Sequence, residues 1–295
     1  MRAFCLFVAA VLATAAANAA GQSISKQVAA DPNGEVDITN VAGSIQVTAW
    51  DRPTVDVQGF IGSGIERVDV LTEGSRTIVR VVQPRAWGHD GEARLQIRVP
   101  VASDIELNSV SSDYTGTGLA GAQRLKTVSG NVHADIAAAD IEIKTVSGDV
   151  RLTGKGQAAS MRVQTVSGDV TIEKGAGTLE VVTVSGDLRA QLDPAKSLRL
   201  RTTSGNVQVS GKLAAGISVD AESVSGNVRV EGPVENGYQY DVSSFSGDIR
   251  SCFTSQAERT GKFGLGSTLS GTLGAGGGRV RVKTMSGNIM LCDKA

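Results

Sequence analysis

The string Ser-Gly-(Asp/Asn)-(Val/Leu/Ile) recurs eight times, starting at Ser129, Ser147, Ser167, Ser185, Ser204, Ser225, Ser246 and Ser286. The steps are 18, 20, 18, 19, 21, 21 and 40 residues. A looser copy, Ser111-Ser112-Asp113-Tyr114, stands 18 residues before the first. A near-constant period means one supersecondary unit used again and again. Each copy is flanked by apolar residues at every second position. Ile141 and Ile143 precede Ser147, and Val150 and Leu152 follow it, interleaved with Glu142, Lys144 and Arg151. Period two is the strand period. Gly allows a corner that a Cβ would resist, and Asp or Asn beside it hydrogen-bonds local backbone. One such unit cannot bury its apolar face alone, whereas stacked units can. The expected fold is therefore all-β, a parallel β-solenoid (β-helix) of about 18–21-residue coils, with strands about 4.8 Å apart. Connections such as 153–159 carry no helix-length apolar pattern, which counts against alternating strands and helices.

Alignment of the copies tests this register. Five residues before each turn serine stand Glu106, Arg124, Glu142, Arg162, Glu180, Arg199, Asp220, Asp241 and Arg281. The sign alternates from Glu106 to Asp220 and then fails at Asp241. In a parallel stack these side chains lie above one another on the solvent face, where opposite charges attract. Each exposed pair contributes only about 0.2–1 kcal/mol, so the pattern specifies register more than stability. Glu142, Arg162, Glu180 and Arg199 are expected to stack on one exposed face.

Outside the repeat the chain divides into two further parts. Residues 1–19 read as a secretory signal peptide. Arg2 supplies the positive start, the stretch from Phe4 to Ala17 is apolar, and Ala17-Asn18-Ala19 is a small-x-small cleavage site. Residues 20–104 alternate less regularly, as at Val36 and Ile38, Ile45 and Val47, and Leu95, Ile97 and Val99. They are expected to form the first coils or a cap, because a stack needs atypical ends to stop edge-to-edge growth. Trp50 and Trp87 fall here and read as core or capping residues. Residues 105–295 form the regular solenoid, with a Gly-rich excursion near 253–278. The protein is expected to be exported, periplasmic or at the cell surface. No second apolar run is long enough to span a membrane, so it is not expected to be transmembrane.

The chemistry available is limited. A net charge of −1 removes the bulk electrostatic argument for nucleic acid. His89 and His133 are the only histidines, so neither a serine paired with a base nor a zinc site is expected. No catalytic residue, metal ligand or cofactor is assigned. The turn column Asp113, Asn131, Asp149, Asp169, Asp187, Asn206, Asn227, Asp248 and Asn288 reads as turn residues. Its three successive acids, Asp149, Asp169 and Asp187, leave calcium ligation open. Two residues after Asn131, Asp149, Asp169, Asp187, Asn206, Asn227 and Asp248, the residues His133, Arg151, Thr171, Arg189, Gln208, Arg229 and Arg250 are expected to point outward. Arg151, Arg189, Arg229 and Arg250 form a possible interaction stripe for acidic glycans or anionic lipid headgroups.

Cys252 and Cys292 are the cysteines left after signal removal, and each lies six residues after its turn serine. In an oxidising compartment they are expected to form a disulfide. The 40-residue step between Ser246 and Ser286 is the obstacle. Two full coils would place the cysteines about 9.6 Å apart, beyond the roughly 7 Å limit for bridged Cα atoms. One coil plus an excursion makes them neighbours, since Ser270-Gly271-Thr272-Leu273 lacks the Asp or Asn. The bond would then pin the C-terminal coil against fraying.

The Thr-Val-Ser-Gly-Asp-Val units at 145–150 and 165–170 resemble those of a bacterial adhesin-like β-strand-repeat family. That family is a domain of unknown function, similar to the auto-transporter adhesin head (GIN-type) domain. Arg98-Val99-Pro100 and the stretch Gly271-Thr272-Leu273-Gly274-Ala275-Gly276-Gly277 also resemble it, and the likeness covers about residues 34–292. It implies an extracytoplasmic solenoid associated with envelope stress or surface interaction, and it carries over no catalytic residue. The expected function is a non-enzymatic, adhesin-like binding or envelope-scaffold protein. Its partner in the envelope, whether protein, glycan or lipid headgroup, is not specified. The alternative is a carbohydrate-active β-helix enzyme, a polysaccharide lyase or hydrolase, which would need several acids converging away from the turn column.

Overall fold

The structure, a computed structural model, describes residues 21–84, 91–232, 237–252, 257–260, 266–275 and 277–292. The signal-like segment 1–19, Trp87, His89 and parts of the Gly-rich excursion lie outside the described residues. The described chain is all-β without a helix, and its strands are mostly parallel.

The N-terminal strands are β1 (Gln22–Ala29), β2 (Glu35–Trp50), β3 (Thr54–Ile61), β4 (Arg67–Glu73), β5 (Arg76–Val82), β6 (Ala93–Pro100) and β7 (Asp104–Thr117). β2 turns a corner. Its first half pairs in parallel with β5, its second half with β6, and both halves with β7. β4 lies antiparallel on β5, β3 antiparallel on β6, and β1 antiparallel on β3. The parallel stack thus ends in antiparallel strands on both sheets. Trp50 sits between Arg52 and Arg98, whose guanidinium carbons lie 5.1 and 4.8 Å from its ring centroid. Its indole N–H donates to the Thr54 carbonyl at 2.8 Å. It is half-buried against this end.

The repeat follows as β8 (Gln123–Lys126), β9 (Val132–Ile136), β10 (Ile141–Lys144), β11 (Val150–Gly154), β12 (Ala158–Gln164), β13 (Val170–Ser185), β14 (Leu188–Ser204) and β15 (Val207–Ser225). Gln123 pairs with Ile141, Ile141 with Met161, Met161 with Leu179, Leu179 with Leu198 and Leu198 with Val219. The offsets are 18, 20, 18, 19 and 21 residues, those of the sequence repeat. A second ladder runs after the turns through Val132, Val150, Val170, Leu188 and Val207. Strand parity puts Ile141, Ile143, Val150 and Leu152 in the core between the ladders. Thr145 also points inward and is buried. Its counterpart Thr127 donates its hydroxyl to the Ser129 carbonyl at 3.1 Å, so the buried oxygen has a partner at the corner.

The corners explain the conserved spelling of the string along the chain. A Cβ on Gly148 would lie 2.1 Å from the Gly130 carbonyl oxygen, and one on Gly168 2.1 Å from that of Gly148. Glycine is needed there because successive corners stack backbone on backbone, besides having φ of 143° and 150°. The Asp/Asn column makes a second ladder of its own. Oδ1 of Asn131 accepts the backbone N–H of Asp149 at 3.1 Å, Asp149 that of Asp169 at 2.9 Å, and Asp169 that of Asp187 at 2.8 Å. Each side chain thus caps the next unit's amide.

The C-terminal strands are β16 (Val228–Glu231), β17 (Tyr238–Ser246), β18 (Ile249–Ser251), β19 (Glu258–Thr260), β20 (Gly266–Leu273), β21 (Gly278–Ser286) and β22 (Ile289–Cys292). Here spatial order departs from chain order. β21 pairs in parallel with β15 on one side and β17 on the other, and β22 lies between β16 and β18. The last unit in sequence is inserted between the two units that precede it. β20 then runs antiparallel along the outer edge of β17, and β19 along β20. The C-terminal coil, expected to be pinned against fraying, thus lies inside the stack with a neighbour on each side. The disulfide expectation holds: Cys252 and Cys292 are bonded with Cα atoms 4.9 Å apart. The bond ties the inserted unit to the outermost one. The insertion also repairs the charge column, because Arg281 lies between Asp220 and Asp241. The sign therefore alternates over nine rungs, from Glu106 to Asp241. Glu142, Arg162, Glu180 and Arg199 are successive rungs, and Arg162 and Glu180 meet at 3.0 Å.

Candidate functional site

The outward face of the sheet before the turns has three columns. The outermost from the turn is the alternating charge column. The middle one holds Lys126, Lys144, Gln164, Val182, Arg201, Glu222 and Lys283. Within it Lys144 bonds Glu142 of the charge column at 2.6 Å, which holds the Glu142 carboxyl below its ordinary range. The third column, directly before the turn serines, is apolar. It holds Val110, Val128, Val146, Val166, Val184, Thr203, Val224, Met285 and Phe245 in spatial order. Its valines are 46–49% exposed, Met285 58% and Phe245 67%. Single exposed apolar residues are ordinary on proteins. Eight in one unbranched column, interrupted by one threonine, make a contiguous stripe of the kind that marks a contact surface.

At the C-terminal end the stripe widens into a groove of about 920 Å³. Val182, Val184, Val224, Phe245 and Met285 provide apolar lining, and Arg201, Glu222 and Lys283 line it from the middle column. The strand parity that builds this face was already in the sequence. In Lys144-Thr145-Val146-Ser147 the alternation places Thr inward and Val outward. A valine on the wet parity in unit after unit was the signal that the sequence reading left unused.

The four arginines of the expected stripe share one column on the other sheet, but not as neighbours. Thr171 separates Arg151 from Arg189, Gln208 separates Arg189 from Arg229, and Met290 separates Arg229 from Arg250. Two rungs are about 9.6 Å. Arg151 bonds Glu173 at 2.5 Å, Arg189 bonds Asp187 at 2.8 Å and Asp169 at 3.4 Å, and Arg229 bonds Glu231. Arg250 makes no ion pair among the described residues. Much of the stripe's charge is thus met by this chain's own carboxylates. His133 is exposed in the same column. Asp149, Asp169 and Asp187 lie on successive rungs, with Oδ1 of each capping the next amide. Tyr114 is buried at the start of the stack, which raises its phenol pKa, and its hydroxyl lies 3.3 Å from Gln123 Oε1. Among the described residues no three of His, Cys, Asp and Glu are grouped to hold a metal ion, and no helix is long and apolar enough to cross a membrane.

The family model of Toastrack DUF4097 matches residues 88–291. No curated protein matches the chain. Similar solved structures include a protein from Bacteroides fragilis provisionally described as an adhesin, 12% identical with a TM-score of 0.39, the match covering 92% of this chain and 97% of that one. Another adhesin, so described on the same provisional footing, comes from Parabacteroides distasonis, at 11% identity, a TM-score of 0.38, and 92% and 97% coverage. A protein of the same organism provisionally described as lipid-binding is 10% identical with a TM-score of 0.29, covering 92% of this chain and 95% of its own.

Proposed function

The chain belongs to the Toastrack DUF4097 family, and on that premise we propose that it is a non-enzymatic, adhesin-like binding protein of the cell envelope, built as a β-solenoid with the valine stripe as its contact surface. The solenoid reading is supported by parallel offsets of 18–21 residues, and by the lack of any pairing between the first and last units among the described residues. An extracytoplasmic place is supported by the Cys252–Cys292 disulfide, which persists in oxidising compartments.

The observation that carries the binding role is the exposed column from Val110 to Phe245. A stack needs inward apolar residues to fold, but gains nothing in its own core from outward ones. Adhesion through this stripe removes it from water at about 25 cal/mol per Å². The arginine column is a poorer surface for an anion, because three of its four guanidiniums are already bonded to carboxylates. A hydrolase or lyase reading would need a free acid to move a proton. Among the turn acids, Asp149, Asp169 and Asp187 each have Oδ1 committed to the backbone.

Sedimentation of the mature protein with isolated envelope fragments tests this. The variant Val128→Glu/Val146→Glu/Val166→Glu is expected to lower the bound fraction at least tenfold. The variant Arg151→Gln/Arg189→Gln is expected to bind as the parent does. Adhesion that survives the first variant, or is lost only in the second, would overturn the assignment of the surface.

A further inference from the structure

The groove at the C-terminal end of the stripe differs from the rest of the face in depth and in charge. Its five apolar side chains come from neighbouring rungs, and the hydroxyls of Thr203, Ser243 and Thr268 line it beside them. The rungs Val184, Thr203, Val224, Met285 and Phe245 span about 19 Å at the parallel-strand spacing. The volume of about 920 Å³ falls within the roughly 300–1,000 Å³ of small-molecule sites. Arg201, Glu222 and Lys283 occupy successive rungs beside it. Arg201 lies 3.2 Å from Glu222 and 4.0 Å from Asp220, so its charge is met within the chain. Lys283 lines the groove and makes no ion pair among the described residues. The site therefore combines a long apolar floor with one cation that makes no ion pair among the described residues.

We propose that this groove binds a single-chain anionic amphiphile, with the acyl chain along the apolar floor and the anionic head at the Lys283 ammonium. The assignment rests on the reading of this face as a contact surface and names the ligand class for one end of it. Charge complementarity selects the class. A neutral glycan would bring no charge to meet the Lys283 ammonium. A second copy of the chain would need about 800 Å² per partner for a standard interface, more than a groove a few side chains wide provides. A free fatty acid and an anionic membrane lipid share the required chemistry, and they are separated by experiment.

Titration of the mature protein with cis-parinaric acid, followed by fluorescence, is the first arm. Co-sedimentation with phosphatidylglycerol vesicles, against phosphatidylcholine vesicles, is the second. Saturable binding in either arm is expected, and the arm that responds names the source. The variant Val224→Thr/Met285→Thr keeps β-forming side chains on an exposed face and is expected to weaken that binding at least tenfold. Lys283→Glu is expected to weaken it at least threefold. Both variants should keep the parent's circular dichroism and melting temperature. Saturable binding in neither arm, or binding that both variants leave unchanged, would overturn the proposal. The variant Val128→Glu/Val146→Glu/Val166→Glu lies outside the groove and should keep its amphiphile binding. Loss of envelope adhesion there tests the wider reading separately.

Discussion

At the scale of single residues, the corner glycines carry two constraints that a substitution can separate. Gly168 has φ of 150°, and a Cβ there would lie 2.1 Å from the Gly148 carbonyl oxygen. Gly74 has φ of 62°, but a Cβ there would meet nothing within 4 Å. Gly74→Ala therefore bears only the left-handed backbone cost, about 1–2 kcal/mol. Gly168→Ala adds a backbone collision that can be relieved only by prising two units apart, at about 3 kcal/mol or more. Urea unfolding of the two variants checks this, and equal losses would remove the stacking explanation. The Asp/Asn position obeys a different logic. Its side chain serves the neighbouring unit's amide rather than its own turn, so Asp and Asn are interchangeable wherever an Oδ1 is presented. That is why the column mixes the two without breaking the ladder.

At the scale of elements, the decisive event is the insertion of β21 and β22. Without them β15 and β17 would stand two strand spacings apart, with backbone donors and acceptors unpaired on both facing edges. The disulfide closes a loop of 40 residues, for which chain-entropy arithmetic gives up to about 4 kcal/mol. It joins the inserted unit to the outermost one, so it resists extraction of the insert rather than fraying at a free end. The variant Cys252→Ser/Cys292→Ser is expected to lose up to about 4 kcal/mol. Amide exchange at Val280, Val282 and Ile289 should accelerate more than at Ile143 and Leu152. Uniform acceleration across these five amides would mean that the insert does not open as a unit. Arg281 makes the insertion electrostatically consistent, since it parts two aspartates that would otherwise face each other across the gap.

At the scale of the whole molecule, the edge strands of a parallel stack can recruit further strands. Each end here finishes in antiparallel strands, β1 and β4 at one and β19 with β20 at the other. Removal of residues 21–30 would bare the β3 edge along its pairing with β1, from Thr54 to Ile61. The shortened protein is expected to self-associate, with an apparent mass by light scattering that rises with concentration more steeply than that of the parent. Identical concentration dependence would show that β1 is not what blunts this edge. With growth at the ends suppressed, the lateral faces become the surfaces available to a partner, and one of them presents an apolar column broken only at Thr203 among the described residues.

Local periodicity was enough to specify most of this architecture. The spacing of Ser147, Ser167 and Ser185 fixed which residues lie above one another, because a parallel register advances by one repeat per unit. Parity fixed which side chains enter the core, and the shared position of Cys252 and Cys292 fixed their partnership. The order of the last units was not legible. β17 and β21 carry the same pattern, and either could have followed β15 on that evidence. The hint lay in the failure of charge alternation at Asp241, which the chain order leaves unexplained and the spatial order removes. The groove was invisible for a related reason. It is assembled from residues more than 100 positions apart in the chain, from Val182 to Met285, and its depth depends on how the inserted unit and β20 sit against the stack. Sequence determined the rung, because a rung is a local alternation of side chains about one corner. Tertiary structure decided the order of the final rungs and the shape of the surface, because both depend on long-range closure that no single repeat encodes.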